Sequence, residues 1–225
     1  ALAVLAISEQ GGLLHAPDMY MDKIAVGPGL PEGCVDLDRS VRENLESVAR
    51  GRGKPISEVT ACILDRPRHA DIIQAVRDAG ASAQLISDGD IAGVIWTTDP
   101  EQTGVDIYLG SGGAPEGVLA AAALKCMGGQ MWGRLTFRNE DEKARAAKAG
   151  ITDLEKRIWG ELCREDMPDM MIDYHSLGKS DATKYDRGDM EVIIPANSTK
   201  WGMDEQIYQQ VANRMMAAAE EAGWP

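Results

Sequence analysis

Residues 59–96 read VTACILDRPRHADIIQAVRDAGASAQLISDGDIAGVIW, and their alternation sets the fold class. VTACIL (59–64) is an unbroken apolar run of strand length. RHADIIQAVRDAG (68–80) puts Ile72, Ile73 and Val76 on one face of a helix that stops at Gly80. SAQLIS (82–87) is a second strand and IAGVIW (91–96) a short helix. Strands and helices taking turns in this way predict an α/β layered sheet.

The same alternation continues outward in both directions. VDIYLG (105–110) reads as a strand, PEGVLAAAALKCMGG (115–129) as an Ala-rich helix opened by proline, and QMWGRLTF (130–137) as a strand. NEDEKARAAKAG (139–150) reads as a charged helix presenting a solvated face. Upstream, residues 36–53 predict a helix. Ser40 and Glu43 have the spacing of a capping box, with Val41, Leu45, Val48 and Ala49 on one face. Residues 1–8 and 13–16 read as two short strands around the turn SEQGG.

Composition narrows the function classes. The chain has 225 residues, 44% apolar and 26% charged, which suits a globular protein of one large or two small domains. No stretch nears the roughly 18 apolar residues of a membrane span, so no membrane partner is expected. The opening ALAVLAIS is short and lacks a basic flank, so it reads as a buried strand and not a signal peptide. A net charge of −13 argues against a nucleic-acid partner. Cys34, Cys62, Cys126 and Cys163 show no CxxC spacing, which points to a reduced, cytoplasmic setting. His15, His69 and His175 lack metal-ligand spacing and are expected at the surface.

Three short loops carry the chemistry, each at a junction between a strand and a helix. In DRPRH, Arg66 and Arg68 bracket Pro67 at a helix start, where two guanidiniums suit an anion. In SDGD, Asp88 and Asp90 flank Gly89, which permits a tight turn. These carboxylates could hold a metal, accept hydrogen bonds from sugar hydroxyls or, for Asp90, cap the next helix. In GSGGAPEG, the glycines would free backbone N–H groups for an anion, and Glu116 falls in the first turn of the Ala-rich helix. There it is either a helix-dipole partner or a metal ligand. A dinucleotide fingerprint does not fit, because Pro115 stands where glycine is needed and Glu116 would repel a pyrophosphate.

Taken together, ALAVLAISEQGGLLHAPDMYMDKIAVGPG, ILDRPRH, LISDGDIAGVI and GSGGAPEGVLAAAALKCMGGQMWGRL resemble the class II fructose-1,6-bisphosphatases, the bacterial type tied to glycerol metabolism. The resemblance runs from Ala1 to about Leu162. It implies the layered sugar-phosphatase fold shared with inositol monophosphatases. It also implies hydrolysis of the 1-phosphate of fructose 1,6-bisphosphate in gluconeogenesis with Mn²⁺ or Mg²⁺, and for some cyanobacterial members of sedoheptulose 1,7-bisphosphate as well. By motif position it implies substrate contact for Tyr20, phosphate binding by Arg66 and Arg68 around Pro67, and sugar binding by Asp88, Gly89 and Asp90. Gly113 is then expected to lie against the substrate, and Glu116 to be a catalytic metal ligand. The implied partner is a small sugar bisphosphate, with homo-oligomers a further expectation.

Two departures shape the remaining expectations. The family's first portion, which carries most metal-binding carboxylates, would lie before Ala1, and the chain does not begin with Met. A fragment with an incomplete first sheet and no activity of its own is therefore expected. A non-catalytic sugar-phosphate-binding or regulatory module is the alternative. Residues 163–225 match no family pattern and read as a polar, turn-rich tail ending in a helix. A foreign tail is the leading account of it, ahead of a divergent native C-terminus.

Overall fold

The computed structural model describes residues 2–7, 13, 16–148, 170–175 and 190–193. Its strands are β1 (Leu2–Ile7), β2 (Tyr20–Val26), β3 (Thr60–Leu64), β4 (Ser82–Ile86), β5 (Ile107–Gly113), β6 (Gln130–Thr136), β7 (Met170–His175) and β8 (Met190–Ile193). Its helices are α1 (Val41–Arg52), α2 (Ala70–Asp78), α3 (Asp90–Trp96), α4 (Pro100–Thr103), α5 (Ala114–Met127) and α6 (Glu140–Lys148).

Five strands form a mixed sheet in the order β4-β3-β5-β2-β6. β3 runs parallel to β4 and to β5, whereas β2 runs antiparallel to both β5 and β6. Side chains alternate across this sheet as the strand period requires. Met21, Ala25, Cys62, Tyr108, Met131 and Leu135 face one core with Ile91 and Val94 of α3 and the alanines of α5. Ile24, Val26, Ala61, Ile63, Ile107 and Leu109 face the other, with Leu45 and Val48 of α1 and Ile73 and Val76 of α2.

The strands β1, β7 and β8 make a second sheet, with β7 antiparallel to both neighbours. α5 packs on β1 and β7 as well as on β2, β5 and β6. A helix with a sheet on each side must bury most of its circumference, and small residues let the layers approach. Ala120, Ala121, Ala122 and Ala123 are all buried accordingly. The described layers are thus sheet, helices, sheet, helices: the layered α/β architecture the alternation predicts.

Several boundaries and one whole strand differ from the sequence reading. α1 begins at Val41 because the Ser40–Glu43 capping box closes there: Glu43 N–H donates to Ser40 Oγ, and Ser40 N–H to Glu43 Oε2. β5 runs on through the glycines to Gly113, since Gly112 and Gly113 pair with Met21 and Tyr20. β2 was not anticipated at all, although it lies inside the sheet. Its inward position 23 is a lysine, which hides the apolar alternation. Of the expected strand at 13–16, Leu13 is a bridge residue and Ala16 lies in no strand, while residues 8–12 and 14–15 lie outside the described residues. Two strands, β7 and β8, fall in the region read as a turn-rich tail, whereas its expected C-terminal helix lies outside the described residues.

Candidate active site

The sheet's directions gather the three loops. β3, β4 and β5 point the same way, so their carboxyl ends share one edge, where each hands over to a helix. β2 runs oppositely and therefore begins at that edge: Tyr20 pairs with Gly113 on one side and Thr136 on the other. β6 ends there too and leads into Arg138 and α6. The result is a cleft of about 830 Å³ lined by Tyr20, Arg66, Arg68, Asp88, Gly89, Asp90, Gly113 and Glu116, together with Asp18, Arg138 and Arg145. Of the residues anticipated for the site, only Pro67 is not in the lining; it opens the short 3-10 turn Pro67–His69 that projects the two arginines.

The arginines are held before any ligand arrives. Arg68 Nε and Nη2 both donate to the Ser111 carbonyl, at 3.0 and 2.8 Å. Ser111 N–H in turn donates to His69 Nε2 at 2.9 Å, so His69 Nδ1 carries the proton and donates to Leu64 O at 2.7 Å. His69 is therefore buried and not, as expected, at the surface. It ties the DRPRH turn to β5. The Arg68 and Arg138 guanidiniums lie 5.1 and 5.5 Å from the Tyr20 ring centre, so this one aromatic side chain orders two cations in the cleft. Arg66 donates to Asp65 O at 2.9 Å and reaches Asp88 at 3.9 Å. Asp88 is 94% exposed, so that pair contributes little.

Asp90 behaves differently from the capping reading. Gly89, with φ +84°, is the residue that precedes α3, and no side-chain cap is made. Asp90 instead pairs with Lys23 Nζ at 2.5 Å. The glycine run is also less open to an anion than its sequence suggests. Ser111 N–H is committed to His69, Ala114 N–H donates to Met19 O at 2.8 Å, and Pro115 has no N–H. Glu116 folds back over Gly113 so closely that a Cβ at position 113 would overlap its carboxylate. A side chain at 113 would push the exposed Glu116 carboxylate out of this position. Beneath these loops, burial and then the Asp90 charge push the Tyr108 phenol well above its ordinary range.

An Mn²⁺ or Mg²⁺ ion takes about six oxygen ligands. Among the described residues, no three His, Cys, Asp or Glu side chains converge to hold a metal ion. Glu116 offers one donor, so the described residues would supply one ligand of the expected ion and not a complete site.

Sequence reasoning missed Lys23, Arg138, Arg145 and Glu142. Helix α6 does not present only a solvated face: the Glu142 side chain is 1% exposed and takes Arg138 Nε at 2.8 Å, with Arg145 at 3.6 Å. The Arg138 hydrogen bond, from side chain and backbone, holds the Glu142 carboxyl below its ordinary value, and the same pair raises Arg138. The signal was legible as i, i+4 and i, i+3 spacing of Glu142 from Arg138 and Arg145. Nothing local marks Lys23.

The five-stranded sheet flanked by helices is consistent with the layered α/β sugar-phosphatase fold. The sequence matches the family described as bacterial fructose-1,6-bisphosphatase, glpX-encoded, over residues 1–167, and the chain belongs to that family. It is 46% identical over 140 residues to a Synechococcus sp. (strain JA-3-3Ab) protein named D-fructose 1,6-bisphosphatase class 2/sedoheptulose 1,7-bisphosphatase, covering 62% of this chain and 40% of that one. It is 41% identical over 179 residues to the Escherichia coli (strain K12) fructose-1,6-bisphosphatase 1 class 2, covering 74% and 53%. A Microcystis aeruginosa (strain NIES-843) protein with the same name as the Synechococcus one is 41% identical over 177 residues, covering 73% and 50%. The chain thus spans about half the length of the curated relatives it matches. Among the described residues, no helix is long and apolar enough to cross a membrane.

Proposed function

We propose that this cleft binds fructose 1,6-bisphosphate and forms the substrate-gripping part of an enzyme that hydrolyses its 1-phosphate. The observation that carries the reading is the convergence of Arg66, Arg68, Asp90 and Glu116 on one cleft of about 830 Å³ in a protein whose net charge is −13. Against that acidic background the cleft sets four arginines among four carboxylates, Asp18, Asp88, Asp90 and Glu116, which offers guanidinium groups to a phosphate and acceptors to sugar hydroxyls. A bisphosphate has two anionic ends. Arg68 and Arg138 share the Tyr20 ring, while Arg66 beside Asp88 and Arg145 beside Glu142 add further cations along the same cleft.

In this reading the arginines bind and orient the phosphates, and Asp90 accepts a hydrogen bond from a sugar hydroxyl. Asp88, exposed at the rim beside Arg66, offers a second acceptor for a sugar hydroxyl. Glu116 is one donor to Mn²⁺ or Mg²⁺, which would supply charge neutralisation and an activated water when bound. A seven-carbon bisphosphate is a second substrate of the same chemistry, favoured by the names of the two cyanobacterial relatives.

The test is Mn²⁺-dependent phosphate release from fructose 1,6-bisphosphate by an enzyme carrying this segment at full family length. Glu116→Gln should abolish turnover while leaving binding of the bisphosphate near its original strength. Unchanged turnover in that variant would remove Glu116 from the chemistry.

A further inference from the structure

Lys23 is a lysine where the strand period calls for an apolar side chain. It sits between Met21 and Ala25 on the face of β2 that packs under α3 and α5, and its side chain is wholly buried. A buried ammonium is costly unless paired. Its Nζ reaches Asp90 Oδ2 at 2.5 Å, and Asp90 is 13% exposed and lines the cleft. Replacing a buried pair with apolar groups is often neutral or stabilising, so the pair is weak evidence for a stabilising role. What it does fix is the carboxylate's orientation.

The glycines of GSGGAPEG make room for it. A Cβ on Gly112 would come within 2.7 Å of Asp90 Oδ2 and 3.3 Å of Lys23 Nζ. One on Gly117 would come within 3.1 Å of Lys23 Cε. Two glycines that read in the sequence as part of an anion cradle therefore line the path of a lysine arm running from β2 to the first turn of α3.

We propose that Lys23 is a positioning residue for sugar recognition: by occupying Asp90 Oδ2, it leaves Oδ1 facing the cleft to accept a hydroxyl of the bound sugar bisphosphate. This rests on the reading of the cleft given under Proposed function. Lys23 touches no ligand itself; it acts through Asp90, with Gly112 and Gly117 as its conduit. The phosphate grip lies elsewhere, on Arg66 and Arg68, so loss of Lys23 should weaken recognition of the sugar and spare recognition of phosphate.

The experiment is calorimetric titration of the 225-residue chain with fructose 1,6-bisphosphate and, separately, with inorganic phosphate, for the unaltered chain, Lys23→Met, Asp90→Asn and the double variant. A hydrogen bond to a charged group is worth about tenfold or more in affinity. K23M and D90N should each weaken the bisphosphate by about that factor, leave phosphate unchanged, and fail to add in the double variant. If K23M alone does not fold, the double variant removes both charges, and equal bisphosphate affinity in D90N and K23M/D90N supports the assignment. Unaltered bisphosphate affinity in K23M, additive losses, or equal weakening of both ligands would each overturn it. If the unaltered chain binds the bisphosphate no more tightly than phosphate, the reading of the cleft itself falls, and the positioning role with it.

Discussion

Arg68 gives both Nε and Nη2 to one backbone oxygen, that of Ser111, while His69 holds the same residue by its N–H. A guanidinium ordered in advance loses little freedom when a phosphate arrives, which is where preorganised sites gain affinity. Lysine would keep the charge but could not span that carbonyl and a phosphate with a planar fork. Arg68→Lys should therefore weaken fructose 1,6-bisphosphate by about tenfold in a titration while leaving the melting temperature in place. A lysine variant that binds as tightly would show that charge alone is enough. At this scale the sequence was informative wherever function lies in exposed polar residues beside glycine or proline, as in DRPRH and SDGD. It was silent on Lys23, because the partner that explains it lies 67 residues away. It misjudged His69, which is buried because β5 passes beside it, and it left Asp90 open between capping and sugar binding because its lysine partner lies on β2.

The clearest gap between pattern and structure at the scale of elements is α6. Its many charges suggested a solvated helix, yet Glu142 is buried where it takes the Arg138 backbone N–H and side chain. Its carboxyl is held below its ordinary value of 4.5 by those bonds. A depressed carboxylate contributes stability that is fully present above its unfolded value and lost as pH falls through its folded value. In urea denaturation, Glu142→Gln should be less stable than the unaltered chain at neutral pH. The difference should shrink as pH falls below 4.5. A gap that stays constant into acid would show that Glu142 contributes no charged interaction. The helices were legible where caps are local: Ser40 and Glu43 set the start of α1 within the chain itself. β2 was illegible because a strand buried between two neighbours can carry a lysine if a third element supplies its partner.

Across the whole molecule, the cleft is a product of strand order. β3, β4, β5 and β6 end at one edge and β2 begins there, so loops far apart in sequence meet around Tyr20. The α/β class could be read from residues 59–96, but the insertion of β2 between β5 and β6 could not, since pairing partners leave no local mark. That insertion brings Arg138 and Arg145 into the site and carries Lys23 beneath it. The central claim is that this edge binds a sugar bisphosphate. Amide chemical-shift mapping of the ¹⁵N-labelled chain with fructose 1,6-bisphosphate tests it most directly. The largest shifts should fall on Tyr20, Arg66, Arg68, Asp90, Gly112, Gly113 and Arg138. No shifts at saturating ligand, or shifts centred away from these residues, would contradict it.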